Sequence, residues 1–386
     1  MKKIYKKLKI FCIVGARPNF VKMAPLIKEM KKYPQFIQPI LVHTGQHYDQ
    51  AMSKEFFKVL GLPRPDVYLY VGSGPHAKQT AEIMNRIDDV MLREKPDLVL
   101  VLGDVNSTLA CALVAAKIRI PIAHVEAGLR SDNWNMPEEI NRVLTDRLAD
   151  FLFTTELSAK KNLLKEGIAK EKIFFVGNVM IDTLKNNLSK IRQSKILKRL
   201  GLKSKSYAVL TLHRPEVVDK KEKLLEIIDV LKLVGQKLPI IFSVHPRTQK
   251  NIKDFGLEDE FKMPSLTIVS ALGYLDFLRL ISRAKVVLTD SGGIQEETTV
   301  FNVPCLTLRH ETERPITVTM GTNIITDLDK NKIFKQLKLI LENRFKTGRT
   351  PPLWDGKAAT RIVKVILKKY IRFFELSNLF LKDHNI

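Results

Sequence analysis

The feature that most constrains this chain is a rhythm. An apolar run of strand length, a short turn and an amphipathic segment of helical length recur along nearly the whole sequence. "KIFCIVG", "PILVHTG", "DLVLVLGD", "IPIAHVEAG" and "DFLFTT" are the first apolar runs, and segments such as "VKMAPLIKEMKKY" and "STLACALVAAKI" separate them with helical periodicity. Strands apolar on both faces must be covered on both faces, and a helical crossover joins parallel neighbours. A second series follows in "IFFVGN", "YAVLTLH", "PIIFSVH", "LTIVS", "AKVVLTD" and "VPCLTL". With 386 residues the chain exceeds one ordinary core. The pattern predicts an α/β protein of two doubly wound domains, 1–177 and 178–366, divided near Gly177 and Asn178 where a charged helical segment begins. Residues 367–386 carry an amphipathic tail, including "IRFFELSNLFL". Its polar face lacks a basic cluster, so packing against a domain is expected rather than a place on a membrane surface.

The charge balance is strongly basic, 64 Lys and Arg against 41 Asp and Glu, for a net +23. Nucleic acid is the partner such a field first suggests. The lysines, however, are spread over positions that helices leave in water, without zinc-finger spacing or an aromatic RNA-binding signature, so no specific nucleic-acid partner is expected. No apolar stretch reaches the ~18 residues of a bilayer span, so no membrane insertion is expected. The basic start "MKKIYKKLK" resembles an export signal, but "IFCIV" is short and runs into Gly-Ala-Arg-Pro, as a first buried strand does. Cys12, Cys111 and Cys305 sit singly in apolar runs and read as buried thiols of a cytoplasmic protein.

In open parallel sheets, ligands gather beyond the carboxyl ends of the strands. The first strand ends in "GARPNFVK", which lacks the G-x-G-x-x-G of a dinucleotide site. Arg17 lies on that turn and Lys22 about one helical turn inside, in reach of one anion. "SGGIQEE" follows "AKVVLTD" and opens a helix. Ser291, Gly292 and Gly293 there let amides approach a phosphate, and the acids Glu296 and Glu297 suit a ribose diol. Arg314 in "ERP" follows another strand, placed to neutralise phosphate. In the first half, Asp104 and Glu126 follow buried strands, and Glu138 opens a helix with Arg142 four residues on. Taken alone, Asp104 also fits a helix N-cap and Glu138 a helix-dipole residue. His124 stands two residues before Glu126 within a strand, which points both to one face. His213 and His245 end two strands of the second series, and no spacing indicates a metal ligand set. No metal and no cofactor are expected.

"GARPNFVKMAPL", "GDVNST", "HVEAGLRS", "PEEINR", "LHRPE", "TDSGGIQEE" and "TERP" occur in the order found in non-hydrolysing UDP-N-acetylglucosamine 2-epimerases, which this chain resembles from about residue 9 to about residue 365. The resemblance implies two Rossmann-like domains facing a central cleft, the glycosyltransferase-B type, usually as a homodimer, with the C-terminal helix returning to the N-terminal domain. It further implies a UDP-sugar substrate held largely by the C-terminal domain. By that resemblance Arg17 and Lys22 face the diphosphate and sugar, Ser291, Gly292 and Gly293 hold phosphate, Glu297 binds ribose and Phe277 lies beside uracil. His213 and Arg314 meet the diphosphate, His245 lies near the same place, and Asp104, Glu126 and Glu138 match the family's required acids.

The reaction so implied is C2 epimerisation of UDP-N-acetylglucosamine to UDP-N-acetylmannosamine, supplying surface polysaccharide synthesis. The proton on C2 is weakly acidic, and eliminating UDP as the base acts relieves that difficulty. A 2-acetamidoglucal and UDP are the implied intermediates. The chain has Ala16, Asn19 and Pro215 where well-known bacterial members have Thr, Glu and a second arginine. "HTGQHYD" and "SDNWNMPEEINR" lean toward relatives acting on UDP-2,3-diacetamido-2,3-dideoxyglucuronate. Some members bind a second UDP-sugar as activator, and Gln46 and His47 match part of that region. A glycosyltransferase of the same architecture is the alternative reaction.

Overall fold

The computed structural model describes residues 6–46 and 57–383, with side chains as far as Tyr370. The chain forms two compact units, Met1–Lys185 with Pro352–Ile386, and Asn186–Pro351.

In the first unit, β1 (Leu8–Val14), β2 (Ile37–His43), β3 (Val67–Tyr68), β4 (Leu98–Leu102), β5 (Ile122–Val125), β6 (Phe151–Thr154) and β7 (Ile173–Phe175) pair in the order β3-β2-β1-β4-β5-β6-β7. Every pairing is parallel. Alternation sends Ile10, Cys12 and Val14 into one core, with Met23 and Ile27 of helix Arg17–Met30, and Phe11 and Ile13 into another. That double cover is why the strand sequences show no polar alternation. "IFFVGN", read as the start of the second series, instead closes the first sheet. Ile173, Phe174 and Phe175 register with Leu152, Phe153 and Thr154 of β6.

The second unit repeats the plan. β8 (Ala208–Thr211), β9 (Ile240–Ser243), β10 (Leu266–Val269), β11 (Val286–Thr289), β12 (Cys305–Thr307) and β13 (Asn323–Ile325) pair in parallel in the order β10-β9-β8-β11-β12-β13. Chain direction across each sheet reverses at one place, between β1 and β4 and between β8 and β11. Such switch points open a crevice at the carboxyl ends of the strands.

The crossing into the second unit lies at Lys185 and Asn186, and the return at Pro352, rather than at 177 and 366. Two contacts account for the difference. The Thr183 hydroxyl donates to the Val21 carbonyl at 2.6 Å, keeping all but the last residue of helix Val179–Asn186 with the first unit. The Asp182 carboxylate accepts from the amides of Ala358 and Ala359 at 3.1 and 2.7 Å, capping the final helix Ala358–Asp383. That helix lies against helix Arg17–Met30 and buries Ala358, Ile362, Val363, Ile366 and Leu367 in the first unit's core. Trp354 is fully buried and donates to the Thr155 carbonyl at 3.1 Å. The packing expected of residues 371–381 lies outside the described side chains. Among the described residues, no helix is long and apolar enough to cross a membrane.

Candidate active site

In the first unit, the turns after β1, β4 and β5 bring the expected residues together. Helix Asn106–Lys117 is capped by Val105, so Asp104 is not its N-cap. Asp104 Oδ2 instead receives the Arg142 guanidinium, from Nε at 3.0 Å and from a terminal nitrogen at 2.8 Å. Arg142 also contacts Glu139, and its side chain is only 2% exposed. Its guanidinium is thus paired with two carboxylates of its own unit. Glu139 in turn accepts from the amides of Ser131 and Asp132. Glu138 stands half-buried in the first turn of helix Pro137–Leu148.

The strand ends before Glu126. That residue takes φ +74°, a left-handed conformation costly for a side chain with a Cβ, and its amide donates to the Phe153 carbonyl at 3.0 Å. Alternation therefore does not put it on one face with His124, as a continuing strand requires. Unusual backbone of this kind concentrates at functional positions. Glu126 is buried and ion-paired to Lys22, also buried. Lys22 thus serves a carboxylate, and Arg17, half-buried at the first position of helix Arg17–Met30, is the nearer of the two expected anion ligands to solvent. Gly103 sits against the pair, a Cβ there meeting the Lys22 ammonium at 3.2 Å. Gly15 has no room for a side chain, since a Cβ would lie 2.2 Å from Ser107 Oγ. Asn19 holds the same turn by accepting from the amides of Gly15 and Ala16 at 3.1 and 3.0 Å. Gln46 accepts from the Ser107 hydroxyl at 2.7 Å, while His47 lies outside the described residues.

The second unit has the opposite electrostatics. His213 and Arg214 follow β8, and both amides donate to Asp290 Oδ2, at 2.7 and 2.8 Å. His213 Nδ1 lies 3.0 Å from Asp290 Oδ1. Burial works to raise the Asp290 carboxyl, but the facing His213 and the two amides hold it below the ordinary carboxylate range. The His213 and His245 rings stand 5.8 Å apart, so the two His-bearing strand ends do converge. The exposed His245 caps helix Pro246–Asp254, Nδ1 accepting from the Arg247 amide at 3.3 Å.

Beside them, Ser291 caps helix Gly292–Phe301 by position, and its hydroxyl makes no cap bond. Gly293 follows half-buried in the first turn, where helix amides favour an anion. Arg314 crosses the same helix start, and a Cβ on Gly292 would lie 2.9 Å from its terminal nitrogen. "SGG" and "ERP", read separately in the sequence, therefore form one cationic cradle. Arg314 donates to Glu296 Oε1 at 2.8 Å. The fully buried Glu313 collects Arg214 and Arg309 at 3.3 Å and Arg314 at 3.6 Å. Glu297 is buried, and burial followed by repulsion from Glu296 pushes its carboxyl up to about 8. Phe277 lies half-buried on helix Tyr274–Ser282. Among the described residues, no group of His, Cys, Asp and Glu is placed to hold a metal ion.

A family model described as UDP-N-acetylglucosamine 2-epimerase matches residues 28–367. The chain belongs to the UDP-N-acetylglucosamine 2-epimerase family. The UDP-N-acetylglucosamine 2-epimerase of Methanocaldococcus jannaschii is 45% identical over 368 residues, covering 93% of this chain and 99% of the relative. A crystal structure of Methanocaldococcus jannaschii UDP-GlcNAc 2-epimerase in complex with UDP-GlcNAc and UDP matches at TM-score 0.87 and 44% identity, over 93% of this chain and 99% of that one. The UDP-2,3-diacetamido-2,3-dideoxy-D-glucuronate 2-epimerase of Pseudomonas aeruginosa is 39% identical over 365 residues, covering 94% of this chain and all of the relative. As a member of the 2-epimerase family this chain is an isomerase, and its two parallel α/β sheets are of the glycosyltransferase-B class found in epimerase structures.

Sequence reasoning missed the groups that organise this family member's cations and acids. Asp290 stands directly before "SGG" and Glu313 inside "ERP". A buried acid beside an expected phosphate site is the available signal, because cations crowded together need a fixed counter-charge.

Proposed function

We propose that this enzyme epimerises UDP-N-acetylglucosamine at C2 to UDP-N-acetylmannosamine, by eliminating UDP and adding it back through 2-acetamidoglucal. The carrying observation is the division of labour in charge. Carboxylates follow β4 and β5 of the first unit, each held by a buried cation, while histidines, arginines and helix amides gather at the switch point of the second. In this reading the second unit binds UDP, with Ser291, Gly292, Gly293, Arg314 and His213 stabilising the departing diphosphate, Glu297 on the ribose and Phe277 beside the uracil. Asp104, Glu126 and Glu138 manage the C2 protons, one removing a proton as the C1–O bond breaks and another returning one to the opposite face. Arg17 holds the substrate's charge in the first unit.

Incubation with UDP-N-acetylglucosamine in deuterated water tests this. The expected products are the manno epimer and deuterium at C2 of both sugar nucleotides. Recovery of undeuterated substrate alone rejects the reading, and sugar transfer to an acceptor supports a glycosyltransferase. A second substrate, UDP-2,3-diacetamido-2,3-dideoxyglucuronate, is favoured by the relative of Pseudomonas aeruginosa, and the same assay run with it compares kcat/KM. We further place the enzyme in the cytoplasm as a homodimer supplying surface polysaccharide precursors. Three buried free cysteines are consistent with a reducing compartment, and light scattering measures the dimer.

A further inference from the structure

Helix Pro137–Leu148 carries a residue that its own stability does not ask for. Asn141 lies in the helix interior, where asparagine is a poor helix former, and it is buried. Its Nδ2 donates to the Asp104 backbone carbonyl at 2.8 Å and to Asn106 Oδ1 at 3.3 Å. A carbonyl oxygen can only accept, so the nitrogen of Asn141 must face Asp104, and its two protons suffice for the two acceptors. The next residue, Arg142, reaches the carboxylate of the same aspartate, with Nε 3.0 Å from Oδ2. Two consecutive residues of one helix therefore grip Asp104, one by its main chain and one by its side chain.

The grip is braced from behind. Asn106 Nδ2 donates to Gln79 Oε1 at 2.9 Å, and Gln79 Nε2 donates to the carbonyls of Gly72 and Gln46 at 2.8 and 3.2 Å. Three buried side-chain amides thus span between backbone carbonyls, that of Asp104 at one end and those of Gly72 and Gln46 at the other. Because the carbonyls at both ends can only accept, each amide in the row has a single orientation. On the opposite side, the Gly103 amide donates to the Val125 carbonyl at 3.0 Å, tying the same turn to β5.

We propose that Asn141 is a positioning residue for the reaction, fixing the main chain of Asp104 so that Asp104 and Glu138 keep one spacing. The proposal rests on the roles proposed above for those two acids. Glu138, Asn141 and Arg142 stand at i, i+3 and i+4 of the helix, on one face. Glu138 belongs to the helix, and Asp104 is tied to that helix at two points, so the two acids move as one body. The Arg142 bonds hold the carboxylate and the Asn141 bond holds the peptide that carries it. Without the second, rotation of that peptide displaces the carboxylate, and small displacements of catalytic groups are costly.

Asn141→Leu, close in size but without the donor, tests this by two readouts. C2 deuterium exchange should fall by about a hundredfold, with UDP affinity within about twofold. In the Asp104→Asn background the same change should cost no more than about a further twofold, because a residue that acts through Asp104 has nothing left to position. Equal losses in both backgrounds overturn the proposal, as does exchange within about twofold of wild type in the single variant. So does an Asp104→Asn enzyme that exchanges like wild type. Independently of turnover, nitrogen-15 spectra should show the Arg142 Nε–H exchanging with solvent at least about tenfold faster once Asp104 is loosened. A rate within about twofold of wild type overturns the proposal too. Asn141→Ala carries the same comparisons if the leucine variant does not fold. If the wild-type enzyme exchanges no deuterium at C2, the proposed function fails, while the Arg142 signal still decides whether Asn141 positions Asp104.

Discussion

The two units share a plan and invert its electrostatics. In the first, acids stand at the strand ends and buried cations hold them, Arg142 on Asp104 and Lys22 on Glu126. In the second, cations and amides stand there and buried acids hold them, Asp290 beneath His213 and Arg214, and Glu313 beneath Arg214, Arg309 and Arg314. A doubly wound sheet supplies a place, the switch point, and leaves its charge to a few side chains. The sign of the holding partner is what distinguishes the halves.

The contrast can be broken from either side. The largest effect is expected at Asp104→Asn, which removes a carboxylate proposed to handle the C2 proton. C2 deuterium exchange should fall by about a thousandfold while UDP affinity, read by calorimetry, stays within about twofold. An equal loss of affinity would assign Asp104 to the nucleotide instead. Arg314→Gln strips the cradle of a charge, and UDP affinity should fall by about ten- to a hundredfold, the scale of charged hydrogen bonds. Because it leaves Glu296 and Glu313 short of a partner, stability should fall as well, by up to about 3–5 kcal/mol. Gly292→Ala is gentler. Its methyl group must push the Arg314 nitrogen from 2.9 Å, so KM should rise by about tenfold with kcat little changed, an outcome steady-state kinetics reads directly.

The smallest effect is a difference in pH response. Glu297 is raised from 4.5 to about 8, first by burial and then by Glu296. Between those values the folded second unit holds a proton that the unfolded chain has released. The associated stability is full below about 4.5 and is lost as pH rises through about 8. In the first unit, Asp182 is raised from 3.8 to about 6, by burial ahead of repulsion from Asp355, and follows the same sign over a lower window. Trp134 and Trp354, the two tryptophans, both belong to the first unit. Urea melts read by fluorescence should therefore follow the lower window. Circular dichroism should add a slope between about pH 6 and 8 that Glu297→Gln flattens.

Much of the fold was legible because period and length are local properties. β4, "LVLVL", could only be a strand buried on both faces, and the turns after the strands held the candidate residues. The assignment of β7 failed because a three-residue strand carries no mark of which sheet it joins; pairing with β6 decides that. The second return of the chain was hidden for a similar reason. Asp182 caps a helix at Ala358, and no spacing within a sequence announces a contact over such a distance. In the site, residue types were readable and partners were not. The types of Lys22 and Arg142 were plain, but their pairing with Glu126, and with Asp104 and Glu139, was not. Left-handed Glu126 defeated the strand period because the turn, not the strand, sets its direction.

The route of the chain through the final helix also has a consequence for synthesis on the ribosome. Proteins emerge N-terminus first and fold domain by domain. The stretch Asn186–Pro351 is contiguous and is complete as soon as it emerges, whereas the earlier-made half waits for Ala358, Ile362, Val363 and Ile366 to close its core. Of the two units, the one whose synthesis begins first is thus closed last, and until residues 358–367 have emerged the face of helix Arg17–Met30 that they cover stays open.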